Sequence, residues 1–121
     1  MTVEEFFKGR ADSRRIHLAI AEVVGQFGEV GEKVSKSQVA FRRGRAFAWT
    51  WIPGQYLSGE RPPLVLSMRL PRRDGSDRWK EVVEPRRGQF MHHVELSSEG
   101  EVDDQIAEWL REAWTDAGPR G

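Results

Sequence analysis

The stretch Lys36–Trp51, KSQVAFRRGRAFAWTW, decides how this chain folds. Two runs that alternate apolar and polar residues flank the basic segment Arg42-Arg43-Gly44-Arg45, and period-two alternation interrupted by a glycine-bearing turn marks a β-hairpin. On the first strand Val39 and Phe41 share a face. On the second, alternation sets Phe47, Trp49 and Trp51 on one face and Ala46, Ala48, Thr50 and Ile52 on the other. Both faces are then largely apolar, which places this strand near the centre of a sheet. The tip is cationic.

Outward from the hairpin, further elements follow. A short helix at residues 3–7 precedes a longer one in which Asp12 or Ser13 caps a stripe of Ile16, Ala19, Ile20, Val23, Val24 and Phe27, with Gly28 as the stop. Gly28–Ser35 reads as a turn leading into a short strand. After the hairpin, PGQYLSGERPP is a loop, LVLSMRL (Leu64–Leu70) is a strand, PRRDGSDR is a charged loop, WKEVVEP is a short strand or turn, and QFMHHVEL is a strand. From about Gly100 a closing helix carries Val102, Ile106, Trp109, Leu110, Ala113 and Trp114 on one stripe. The pattern predicts one α+β domain over residues 1–121. Its antiparallel sheet has four or five strands, N- and C-terminal helices pack against the sheet, and the tail at 118–121 frays.

Composition narrows the function classes. The 121 residues include no cysteine, which removes disulfides, thiolate metal sites and nucleophilic thiols together. No export signal is evident at the start, and no apolar run approaches the ~20 residues of a membrane-spanning helix. A cytoplasmic protein without membrane contact is expected. The 19 acidic and 19 basic residues cancel, but residues 36–95 hold 12 basic against 6 acidic and residues 96–121 hold 2 against 7. Such a split either presents a cationic face to an anionic partner or lets an acidic helix balance a basic sheet within the molecule. The second weighs more.

With the hairpin, FMHHVEL and DDQIAEWLREAW in place, the chain resembles a bacterial family catalogued as domain of unknown function 5655. The likeness rests on Lys36–Arg43 followed by Phe47-Ala48-Trp49, on the His92-His93 pair, and on Asp103-Asp104 opening a helix that ends Ala113-Trp114. A looser likeness is to the small α+β YdhG-like domains. Both imply a small α+β fold, and neither implies an activity, cofactor or catalytic residue.

No catalytic motif stands out. His92 and His93 are neighbours on a strand, so their side chains take opposite faces and cannot easily share a metal. Asp74, Asp77, Glu81 and Glu84 with Lys80 lack the spacing of a magnesium nuclease, and no serine sits in a nucleophile elbow. Trp49 or Trp51, Trp109 and Trp114 are expected in the core, with Trp79 as its cover rather than a stacking platform. No metal or cofactor is expected. The leading expectation is a non-enzymatic binding or interaction module for a protein or an anionic ligand, with nucleic acid as a weaker candidate. Lys36, Gln38, Arg42, Arg43, Arg45, Arg69 and His93 are its candidate ligand-binding residues, and Arg72 and Arg73 add to the positive charge. The alternative is an enzyme with a small-molecule pocket on the sheet, using His93, Lys36, Gln38 and Tyr56.

Overall fold

A computed structural model describes residues 1–55 and 61–119. Thr2 starts helix α1 (Val3–Phe6) by a reciprocal cap: its hydroxyl accepts from the Glu5 N–H, and its own N–H donates to the Glu5 carboxylate, both at 3.1 Å. Helix α2 (Ala11–Gly25) buries Ile16, Ile20 and Val24. It begins ahead of Asp12 and Ser13, and neither side chain caps it. Asp12 holds Arg15 at 2.9 Å, and Ser13 Oγ donates to the Pro63 carbonyl at 2.7 Å. Past the helix, Gly28 has φ +142°, and a Cβ there would lie 3.0 Å from the Trp114 ring. Only glycine meets both conditions.

The strands are β1 (Gly31–Val34), β2 (Val39–Arg43), β3 (Arg45–Trp51), β4 (Leu64–Leu70), β5 (Glu81–Arg86) and β6 (Gln89–Leu96). They form one antiparallel sheet in the order β1-β2-β3-β4-β6-β5. Six strands replace the four or five expected. The outermost two answer to the short strand expected after Gly28 (β1) and the short strand or turn expected at WKEVVEP (β5), and both are exposed at nearly every residue, so no buried face or alternation marks them more firmly.

At the hairpin, Gly44 (φ +74°) turns the chain between the paired Arg43 and Arg45. The register then shifts. Arg42 pairs with Ala46 but Phe41 pairs with Ala48, which leaves Phe47 as a bulge. One extra residue reverses the phase of everything beyond it. Phe47 and Ala48 both lie in the core and Thr50 is fully buried, whereas Trp49 and Trp51 stand outside the core on the opposite face. The expected sharing of one face by Phe47, Trp49 and Trp51 is therefore corrected, as is a core role for Trp49 or Trp51.

After a 3-10 turn at Glu99–Glu101 comes helix α3 (Asp104–Ala117), capped by Asp103, whose carboxylate accepts from the Ile106 N–H at 3.1 Å. All three helices bury their apolar residues against one face of the sheet, where Phe41, Leu64, Leu66, Met68, Leu70 and Val94 meet them. Trp79 completes this core, its ring centroid 4.0 Å from that of Trp109 and 4.7 Å from that of His92. It covers the core, as expected. Among the described residues no helix packs on the opposite face. Among the described residues no helix is long and apolar enough to cross a membrane.

Candidate functional site

The hairpin cations largely face inward partners. Arg43 lies 3.5 Å from the centre of the Trp114 ring and donates to the Trp114 carbonyl at 3.1 Å, with Gly118 buried beneath its guanidinium. Arg45 reaches both the carbonyl and the carboxylate of Asp116, at 3.1 and 3.2 Å. Farther along α3, Arg72 grips Glu112 through two hydrogen bonds of 2.8 and 2.9 Å and also holds Asp74, while Arg78 donates to both Asp103 oxygens. Basic sheet and acidic helix thus balance each other within the molecule. Arg69 donates to the Ala46 carbonyl and sits 6.0 Å from the Trp49 ring. Burial and the neighbouring Arg45 lower its pKa, with Asp116 opposing. Arg42 turns back to the Gly44 carbonyl at 3.3 Å, and Arg73 to that of Val82 at 3.4 Å. Lys36 is exposed in the β1–β2 turn, where Gln38 accepts from Ser35.

The two histidines take opposite faces. His92 is fully buried on the helix side and has fixed roles: its Nε2 accepts from the Asp74 N–H at 3.0 Å, so its Nδ1–H donates to the Phe90 carbonyl at 3.0 Å. Asp74 in turn accepts from the Trp79 indole at 2.9 Å and from the Ser76 N–H at 3.1 Å. This network fastens the loop between β4 and β5. Burial works to raise the Asp74 pKa, but the indole, Arg72 and the Ser76 N–H hold it below its ordinary value. His17, the third histidine, is also fully buried, with Nδ1 2.8 Å from Thr50 Oγ1 and its ring stacked on Phe41. Among the described residues no three ligating side chains are grouped for a metal ion.

His93 stands on the open face. Register aligns Lys33, Ala40, Trp49, Ser67, His93 and Glu81 in one row across all six strands. Ser67 Oγ accepts from the Trp51 indole N–H at 3.0 Å and lies 2.7 Å from His93 Nδ1. An indole N–H can only donate, and the nearly buried Ser67 hydroxyl has no hydrogen-bond partner among the described residues besides Trp51 and His93, so its one proton goes to Nδ1. That leaves the proton of neutral His93 on Nε2. Burial lowers the His93 pKa below 6.5, and the facing Glu81 carboxylate only partly opposes the shift. Beside this chain is a pocket of about 220 Å³, lined by Trp51, Pro53, Arg61, Val65, Lys80, Glu81, His93 and Glu95.

The matching family model spans residues 3–117, nearly the whole chain, and its description is domain of unknown function (DUF5655). The chain belongs to that family. No curated protein and no solved structure matches it. The DUF5655 fold therefore has to be read from its own geometry. Of the seven candidate residues named from the sequence, the pocket takes in His93 alone, while Arg43 and Arg45 attach to α3. Gln38 falls one position before the Val39–Thr50 pair, in the row of Trp51. Tyr56 lies outside the described residues. Sequence reading missed Trp51 and Ser67 as partners of His93, and Glu95 as its neighbour in the pocket. Alternation on β4 and β6 carries the signal for Ser67 and Glu95, but the bulge at Phe47 hides Trp51.

Proposed function

We propose that the chain is a binding module that takes a small ligand in the pocket on the open face of the sheet. The observation that carries this reading is the Trp51–Ser67–His93 hydrogen-bond chain, which fixes one imidazole N–H at the edge of a concave, partly apolar site. Ligand sites commonly combine apolar walls with a few oriented polar groups, and here β3, β4, β5 and β6 each contribute a wall. Ser67 is almost fully buried beneath the aromatic wall and serves to orient His93. With its proton on Nε2, His93 is a hydrogen-bond donor rather than a base, which favours binding over proton abstraction.

The decisive experiment is a thermal-shift screen of small molecules on wild type, His93→Gln and Lys36→Ala/Arg42→Ala. A ligand that binds the folded state raises the melting temperature. The expected hit loses its shift in His93→Gln and keeps it in the hairpin variant. A hit with the opposite pattern moves the site to the hairpin and overturns the pocket.

A further inference from the structure

We infer that the pocket selects a small zwitterion of amino-acid size, one that carries an ammonium and a carboxylate on a short apolar body. This rests on the pocket being the ligand site. Size sets the first limit. A volume of about 220 Å³ holds on the order of seven water-sized groups, at roughly 30 Å³ each. A free amino acid fits inside it, whereas a nucleotide or an oligomer would extend beyond it.

Charge sets the second limit. Glu81 is the cross-strand partner of His93, and Glu95 follows His93 by two residues on the same strand, so both carboxylates share its face. Lys80 enters the same pocket, and its backbone N–H is tied to the His93 carbonyl at 2.7 Å. None of the three side chains forms an ion pair within the described residues. Arg45, Arg72 and Arg78, by contrast, are matched to carboxylates. With Arg61 also in its lining, the pocket brings two cations and two carboxylates together, which disfavours a plain anion, repelled by Glu81 and Glu95, and a plain cation, repelled by Lys80 and Arg61. A ligand with both charges answers both.

The chemistry divides between the two ends. The ligand carboxylate takes the His93 Nε2–H and the Lys80 ammonium. Its ammonium takes the Glu81 and Glu95 carboxylates, and its apolar body lies against Trp51 and Val65. Lys80, Glu81 and Glu95 are exposed, so they can be changed without disturbing the core.

The test uses the full chain, 15N-labelled, and follows the Trp51 indole N–H and the His93 ring resonances. The probes are alanine and leucine together with the two halves of leucine: 4-methylpentanoate, which lacks the ammonium, and 3-methylbutylamine, which lacks the carboxylate. Leucine is expected to shift both reporters, and each half should bind at least tenfold more weakly. Glu81→Gln/Glu95→Gln should weaken leucine at least tenfold and, by removing the repulsion, strengthen 4-methylpentanoate. If either half binds as tightly as leucine, the zwitterion inference is overturned while the pocket stands. If neither amino acid moves either reporter, the inference is also overturned. The pocket itself falls only if no ligand from the thermal-shift screen depends on His93.

Discussion

Ser67 has one hydroxyl proton, and where it goes decides what His93 can do. Replacing Ser67 by Ala removes both the acceptor for Trp51 and the donor to Nδ1. The His93 ring is then free to exchange tautomers, and nitrogen NMR of the imidazole should change from a single Nε2–H form to a mixture. A ring that stays wholly Nε2–H in Ser67→Ala would show that the hydroxyl does not set it. The tryptophans give a second test at this scale. Trp79→Ala should cost about 3–5 kcal/mol, the range for deleting a large buried aromatic, whereas Trp49→Ala should cost less than half of that in urea unfolding. Equal costs would place Trp49 in the core and refute the bulge-shifted phase. The role of Trp79 was legible because a large ring between Arg78 and Lys80 gains most by turning inward. Trp49 was misplaced because strict alternation cannot anticipate an inserted residue.

Among the elements, α3 is the one most tied by charge. Arg45 and Arg72 reach it through side chains that are 40% and 50% exposed, and pairs so exposed contribute about 0.2–1 kcal/mol each. Arg72→Gln should therefore lower stability only within that range, and 0.5 M salt should erase most of the difference. Arg43 differs, because it stacks on Trp114 and also satisfies a carbonyl in the last turns of α3. Arg43→Ala is expected to cost more than Arg72→Gln and to keep its cost in salt, as measured by denaturant titration with and without added NaCl. A cost for Arg43→Ala that salt abolishes would reduce the contact to simple charge attraction. The acidic character of α3 and the basic middle of the chain were both readable in sequence, but their pairing was only one of two outcomes the charges allowed. Strands β1 and β5 were harder to read. An edge strand with solvent on both sides is free to be polar throughout, so Gly31–Val34 reads only as a short strand after a turn, and Glu81–Arg86 as a strand or a turn, until a neighbour is known.

The molecule as a whole should lose stability in acid. Burial holds His92 and His93 below their ordinary pKa of 6.5 in the folded chain, so below that pH the unfolded chain binds more protons and gains on the folded one. The contribution is complete above about pH 6.5, and it is lost as pH falls through the lowered values. Melting temperature should drop between pH 7.5 and 5, and His93→Gln should make that drop shallower. A melting temperature that holds steady or rises over this interval would contradict the burial of both imidazoles. At still lower pH, protonation of Asp74 and Asp103, whose values lie below 3.8, removes further stability.

Helix α3 follows all six strands in the chain, yet it supplies Ile106, Trp109, Leu110, Ala113 and Ala117 to the core. During synthesis the sheet can therefore pair its strands before the surface that α3 covers has any cover. The ribosome adds the 14 residues of this helix in on the order of a second. They must also clear the exit tunnel before they can pack. Throughout that interval Trp79, Leu66 and Met68 lack their final partners, and a nascent chain halted at Val102 would present them as a ready surface for a holdase chaperone.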